Sequence, residues 1–140
     1  MQAIRVHRFG GIDSLVAEDV PRPTPGEGEV LLRVKAAGVG PWDAWIRSGR
    51  SVIHQPLPLT LGSDVAGVVE NVGPGVSHFT AGDAVFGATN GQFTGGYAEY
   101  AVAVATKLCN AQGAYRGQSG RSYVFMTFGE VKMSKSPAGD

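Results

Sequence analysis

The chain has 140 residues with a single cysteine, and its 12 lysines and arginines balance its 12 aspartates and glutamates. The length is that of one domain, and the lack of net basic charge argues against a nucleic-acid surface. No apolar run reaches the roughly 18 to 20 residues that span a bilayer, and no signal peptide is recognisable. Cys109 alone cannot form an internal disulfide or a multi-cysteine zinc site. We therefore expect a cytoplasmic protein that contacts neither nucleic acid nor membrane.

The first part of the sequence predicts strands joined by turns rich in proline and glycine. "MQAIRVHRF" and "LVAEDV" have the pattern of short strands, and the prolines of "PRPTPGEGE" keep the next segment extended. "EVLLRVKAAGV" is the strongest strand, because Val30, Leu32, Val34 and Ala36 share one face while charged residues occupy the other.

A short helix is predicted over "PWDAWIRSG", directly after that strand. Pro41 suits the first helical position, Asp43 suits the positive end of the helix dipole, and Gly49 is a suitable C-terminal stop. The segment contains Trp42 and Trp45, which are the two tryptophans of the chain. We therefore expect it to form an aromatic wall.

The remaining segments complete a mainly β fold. "DVAGVVENVG", "AVFGAT" and "GGYAEYAVAV" predict strands, whereas "HQPLPLTLGS" and "GPGVSHFTAGD" predict loops. Together with one or two short helices, these strands predict a β-rich α+β fold in the form of a small, partly open antiparallel barrel.

Residues 106–140 differ from the rest of the chain. They show no sustained period of a helix or a strand, and they carry five basic and two acidic residues, against seven and ten in residues 1–105. We interpret the chain as a domain over residues 1–105 followed by an irregular, atypical tail, which is either a frameshift product or disordered. A short structured stretch around "SYVFMTFGEVKM" is left open.

Five segments, taken in order, resemble the N-terminal GroES-like domain of the medium-chain dehydrogenase/reductase superfamily, and in particular its zinc-free, zeta-crystallin-like quinone oxidoreductase branch. They are "GEVLLRVKAAGV", "PWDAWIRSG", "LGSDVAGVVENVGPGV", "GDAVFG" and "GGYAEYAV". The resemblance covers residues 1 to about 105. It implies the substrate side of an NADPH-dependent enzyme that transfers a hydride to a quinone or an activated C=C bond.

The family also has a Rossmann domain that binds NADPH, and no glycine fingerprint of that fold follows a strand in this sequence. The chain is therefore expected to be a truncated and inactive member that does not bind NADPH tightly by itself. In zinc-dependent members a cysteine and a histidine bind the catalytic zinc, and the matching positions here are Gly40 and Ser63. Since neither binds zinc well, no metal is expected.

The resemblance places the "GPWDAW" turn where nicotinamide and substrate meet. It implies Gly40, Pro41 and Trp42 as cofactor contacts and Asp43 and Trp45 as catalytic side chains. Pro41 and Asp43 match the family's Asn-Pro-x-Asp turn, whereas Gly40 replaces the asparagine and Trp45 stands near the family's tyrosine. Trp45 can donate its indole N–H but cannot act as an acid. Water or the cofactor ribose would then supply the proton.

Structural roles for the same residues stay open at this point. Trp42 and Trp45 can equally be packing residues of the core or of a domain interface, and Asp43 can act only as a helix cap. Ser63 and Asp64 can simply organise the start of a strand. For the whole chain, the alternatives are a non-catalytic GroES-like binding or assembly module and a half enzyme completed by a separate Rossmann subunit. A homodimer is compatible with the resemblance.

Overall fold

The computed structural model of the chain describes residues 1–111 and the backbone of residues 125–126. The described residues contain one α-helix, α1, which spans Pro41–Arg47. Two short 3-10 helices cover Ile12–Ser14 and Ala105–Lys107. The strands are β1 (Gln2–Val6), β2 (Leu15–Asp19), β3 (Glu29–Gly38), β4 (Leu59–Thr60), β5 (Asp64–Val72), β6 (Ala84–Ala88), β7 (Tyr100–Val104), β8 (Leu108–Asn110) and β9 (Phe125–Met126). No helix within the described ranges is long and apolar enough to cross a membrane.

The strands form two antiparallel sheets. The smaller sheet has the order β2-β1-β4, and the larger has the order β7-β3-β5-β6-β8, with β9 paired to the end of β3. An isolated bridge between Ala3 and Ala98 joins β1 to the segment before β7. The sheets are open and do not close on each other, so the prediction of a β-rich, partly open barrel with a short helix is confirmed.

The pairing between β3 and β5 determines which side chains of β3 enter the core. Val30, Leu32 and Val34 alternate into the core as predicted. The prediction that Ala36 shares this face is wrong, because the register shifts between Val34 and Ala36 and turns Ala37 into the core instead. Such a bulge inserts one residue and reverses the inward and outward alternation beyond it.

Two other segments differ from the predicted elements. Leu59 and Thr60, expected in a loop, pair with β1 as β4. Residues 95–99, expected to continue the strand β7, instead run through a turn at Gly95, whose φ of +99° is incompatible with an extended strand. Both differences arise at ends of the sheets, where pairing with another segment, rather than local pattern, decides the structure.

The larger sheet continues past residue 105. Leu108–Asn110 pair with β6 as β8, and Phe125–Met126, within the stretch left open by the sequence, pair with the end of β3 as β9. The frameshift and disorder interpretations were made for residues 106–140, and they stay predictions, because residues 112–124 and 127–140 lie outside the described residues.

Candidate functional site

The candidate site lies at the turn between β3 and α1. Gly40 precedes the helix in an extended conformation, with φ −118° and ψ 167°. The Asp43 amide donates to the Gly40 carbonyl oxygen at 3.1 Å, and Asp43 Oδ2 accepts from the Gly40 amide at 2.7 Å. This reciprocal pair satisfies backbone groups at the start of the helix in the way of a capping box. Pro41 occupies the first helical position, and Gly49, with φ +75°, follows the helix end, as predicted.

Asp43 also connects the turn to a second segment of the chain. Its Oδ1 accepts a hydrogen bond from the Gly62 backbone amide at 3.2 Å, and the residue is only 4% exposed. Both carboxylate oxygens therefore accept from backbone donors, one in the turn and one in the segment 61–63. This geometry suits a group that fixes the relative position of two loops.

Burial is the largest influence on the ionisation of this carboxylate. It raises the pKa of Asp43 above its ordinary value of 3.8, and the interactions with the Gly40 amide, the Tyr97 hydroxyl and the Gly62 amide oppose the rise only in part. Asp64 adds a smaller upward contribution through its negative charge.

Tyr97 is the buried aromatic neighbour of Asp43. Burial raises the pKa of the Tyr97 hydroxyl, and the negative charge of Asp43 raises it further. The hydroxyl lies outside standard hydrogen-bond geometry, so we assign it an electrostatic contact with the carboxylate rather than a full hydrogen bond. Tyr97 therefore stays protonated at physiological pH and acts as a polar neighbour, not as a source of protons.

Gly62 is glycine for two reasons that the structure shows. Its φ is +91°, in the region that side chains disfavour, and a Cβ there would lie 2.3 Å from Cδ1 of Tyr97. The Tyr97 ring therefore packs directly on the Gly62 backbone. In addition, the Tyr97 amide donates to the Leu61 carbonyl oxygen at 2.8 Å. These contacts present the Gly62 N–H to Asp43.

The two tryptophans have different environments. Trp42 is half-buried, and its ring covers Gly40 so closely that a Cβ at Gly40 would lie 2.3 Å from the Trp42 ring. The glycine at position 40 is thus explained by contact with Trp42. Trp45, in contrast, is 57% exposed, so it does not serve the core of the described residues. Pro41 is exposed as well, and the turn therefore offers a surface made of Pro41 and Trp45.

Ser63 and Asp64 border the same region at the start of β5. Ser63 is 1% exposed, and its Oγ has no hydrogen-bond partner among the described residues. Asp64 packs against Gly38 at the end of β3, where a Cβ would lie 2.9 Å from Cβ of Asp64. Burial raises the pKa of Asp64. Both residues fit the role of organising the start of the strand.

A metal centre is not evident in the part of the chain that the structure describes. No three histidine, cysteine, aspartate or glutamate side chains there come close enough to hold an ion. The expectation that this chain binds no zinc stays a prediction.

The structure thus brings together four of the five candidate residues, Gly40, Pro41, Trp42 and Asp43, and presents Trp45 on the outer side of the helix. Sequence reasoning did not identify Gly62 and Tyr97 as members of the site. The segments "LGSDVAG" and "GGYAEYAV" contain them, but nothing in their local pattern shows that they pack on each other.

Comparisons with known proteins point to one family. Residues 26–113 match the family described as the alcohol dehydrogenase GroES-like domain. The quinone oxidoreductase of Sus scrofa is 50% identical over 104 residues, which are 74% of this chain and 31% of that protein. The 2-haloacrylate reductase of a Burkholderia species is 42% identical over 88 residues, which are 61% of this chain and 26% of that protein.

A solved structure gives the same result. The Escherichia coli quinone oxidoreductase complexed with NADPH superimposes with a TM-score of 0.70 at 34% identity, covering 79% of this chain and 33% of that protein. The chain therefore spans about a third of the length of the relatives that it matches.

Proposed function

Because the chain belongs to the alcohol dehydrogenase GroES-like domain family, we propose that it forms the substrate side of an NADPH-dependent oxidoreductase acting on quinones or enones. The observation that carries the proposal is the Asp43 carboxylate, which joins the Gly40 turn to Gly62 at 2.7 and 3.2 Å. The names of the relatives support the substrate class, since they include quinone oxidoreductases and a reductase of an activated alkene.

In this proposal the turn binds and orients, and it does not perform the redox step. When bound, NADPH supplies the hydride. The exposed faces of Pro41 and Trp45 are accessible to the nicotinamide and to a flat acceptor, which fits the cofactor and substrate at this turn. Stacking on the Trp45 indole would add about 0.5–1.5 kcal/mol beyond burial.

We assign Asp43 a positioning role and Trp45 a substrate contact. Asp43 is buried and its two oxygens accept from backbone amides, so it holds the turn in place and does not approach the acceptor. Gly40 allows Trp42 to pack across it, which places the Trp42 ring at the turn proposed to contact the cofactor. The proton that completes the reduction would come from water or from the cofactor ribose.

A chimera tests this proposal. The 104 matched residues of the Sus scrofa enzyme are replaced by the corresponding residues of this chain, and NADPH oxidation is followed with a quinone and with an enone. We expect turnover with at least one acceptor. Trp45→Ala should raise KM several-fold with a smaller effect on kcat, whereas Val52→Ala, at a fully exposed apolar residue, should change neither.

A folded chimera without turnover, beside an active parent enzyme, would contradict the proposal and favour a non-catalytic binding module. Equal effects of Trp45→Ala and Val52→Ala on KM would contradict the role given to Trp45.

A further inference from the structure

A cavity of about 220 Å³ that is open to solvent lies between two loops, one formed by residues 55–60 and the other by residues 92–95. None of the side chains of the Gly40–Asp43 turn lines it. A cavity of about 150 Å³ is enough to hold benzene in another protein, whereas sites for drug-sized ligands begin near 300 Å³. The space therefore suits a molecule with one ring.

One wall of this cavity is apolar. Pro56, Pro58 and Leu59 supply flat or branched hydrocarbon surface, which favours the face of a ring over a solvated chain. Every lining residue that the structure describes is uncharged. Arg5, which donates to the Pro58 carbonyl oxygen at 3.0 Å, has its charge paired with Glu18 at 3.3 Å. A charged ligand would therefore lose its hydration without gaining a partner of opposite charge.

The other wall supplies hydrogen-bonding groups. Thr60 and Thr94 bring hydroxyls, and Gln55 and Gln92 bring amides. Gln55 is 4% exposed, and its Nε2 donates to the Gln92 carbonyl oxygen at 3.1 Å and to the Ser51 hydroxyl at 3.3 Å. The buried amide thus joins the two loops and holds the polar wall in place. Both N–H groups of Gln55 are used in these bonds, so the donors suited to a ligand's carbonyl oxygen are the threonine hydroxyls and the Gln92 amide.

The cavity is also connected to the candidate site through the backbone. The Gly95 amide donates to the Thr60 carbonyl oxygen, and the Gly96 amide donates to the Gly62 carbonyl oxygen, both at 2.8 Å. Gly62 donates in turn to Asp43. The same backbone pairing therefore forms one edge of the cavity and positions the carboxylate that orders the turn.

We infer that this cavity binds the ring of a small, neutral carbonyl compound through an apolar proline wall and a polar threonine and glutamine wall. Where the inference names the ligand as the quinone or enone acceptor, it rests on the proposed function. The binding itself needs only the loops 55–60 and 92–95 of this chain.

The test is a titration of the full, isotope-labelled chain with cyclohexane-1,4-dione, observed by NMR at the side-chain amides of Gln55 and Gln92. This ring carries two opposed carbonyl groups, as a benzoquinone does, but it has no electrophilic C=C bond that would alkylate the exposed thiol of Cys109. We expect saturable shifts at both glutamines. Cyclohexanecarboxylate, a ring of similar size with a negative charge, should produce none.

The double variant Thr60→Val and Thr94→Val keeps the shape of the two side chains and removes their hydroxyls. It should weaken binding of the dione about fivefold for each of the two hydrogen bonds lost, about 25-fold in all, given the usual strength of a hydrogen bond. Thr24→Val, at an exposed threonine outside the cavity, is the matched control and should bind as the unchanged chain does.

Three results would overturn the inference: no saturable shift up to the solubility of the dione, equal shifts with the carboxylate, or undiminished binding by the double variant. Its failure is distinct from failure of the proposed function, because the titration needs no NADPH and no turnover. If the chimera reduces quinones but the chain binds no dione, the inference that the cavity binds a carbonyl compound is wrong and the proposed function stands.

Discussion

The Asp43 carboxylate accepts a hydrogen bond from the Gly62 amide at 3.2 Å, although the two residues are 19 positions apart in the chain. Through this bond the start of α1 and the segment before β5 hold each other in place. The other carboxylate oxygen accepts from Gly40 at 2.7 Å. The site is therefore organised by one buried side chain that acts on two backbone amides.

Asp43→Asn should destabilise the fold by about 1–3 kcal/mol, because the amide nitrogen cannot accept and leaves one buried backbone N–H without a partner. The measurement is the free energy of unfolding from urea denaturation at neutral pH. Asp13→Asn is the control, since Asp13 is exposed and pairs only with exposed Arg8 at 3.8 Å, and we expect a change within about 0.5 kcal/mol. Equal effects of the two variants would contradict the role of Asp43.

The loss in unfolding free energy caused by Asp43→Asn should depend on pH. The pKa of Asp43 is raised by burial above its ordinary value of 3.8, so above that pH the folded chain retains a proton that the unfolded chain releases. The stability linked to this group is therefore greatest below the ordinary pKa and falls as pH rises through the folded pKa. The carbonyl oxygen of a protonated carboxyl still accepts and its hydroxyl oxygen accepts weakly, whereas the asparagine nitrogen cannot accept at all.

Urea denaturation of the unchanged chain and of Asp43→Asn between about pH 3 and pH 7 measures this dependence. We expect the difference in unfolding free energy between them to be larger at the acid end. A difference that grows toward neutral pH would show that the pKa of Asp43 is lowered, not raised.

Much of this architecture follows from local pattern, and the parts that do not are contacts between distant segments. The alternation of Val30, Leu32 and Val34 predicts the face of β3, and Pro41 and Asp43 predict the start of α1, because each depends on near neighbours. The bulge that buries Ala37 instead of Ala36 depends on the register against β5. Such a register shift has no signature in the strand that contains it.

The candidate site likewise contains residues that local sequence predicts and residues that only the tertiary fold brings together. The turn residues were predicted because they form one contiguous segment that resembles the family's Asn-Pro-x-Asp turn, whereas Tyr97 reaches them only through the tertiary fold. Its ring packs on Gly62, and the requirement for glycine there comes from that ring and from a positive φ. The sequence contains both residues but does not indicate that they meet.

Gly62→Ala should be more damaging than Gly82→Ala, although both glycines have a positive φ, +91° and +100°. At Gly82 no atom lies within 4 Å of the added Cβ, so only the backbone conformation costs energy, about 1 kcal/mol. At Gly62 the Cβ would lie 2.3 Å from the Tyr97 ring, which adds about 1–3 kcal/mol of overpacking. Urea denaturation of both variants measures the difference, and equal losses would show that the Tyr97 ring moves aside freely.

Phe93 provides a further test, because it is the one non-glycine residue of the described ranges with a positive φ, +58°. The loop around it is fixed by the Asn90 side chain, whose Oδ1 accepts from the Gln92 and Thr94 amides and whose Nδ2 donates to the Thr94 carbonyl oxygen. A left-handed conformation costs a residue with a side chain about 1–2 kcal/mol. The hydrogen bonds of the loop therefore maintain a strained residue.

Phe93→Gly and Phe93→Ala separate this strain from the loss of the ring. Both remove the partly exposed ring, but only glycine relieves the backbone, so Phe93→Gly should be more stable than Phe93→Ala by about 1 kcal/mol, given the greater flexibility of unfolded glycine. The midpoints of urea denaturation measure the difference. A Phe93→Ala variant more stable than Phe93→Gly by about 0.4–1 kcal/mol, the usual advantage of alanine from the unfolded state, would mean that the positive φ carries no strain.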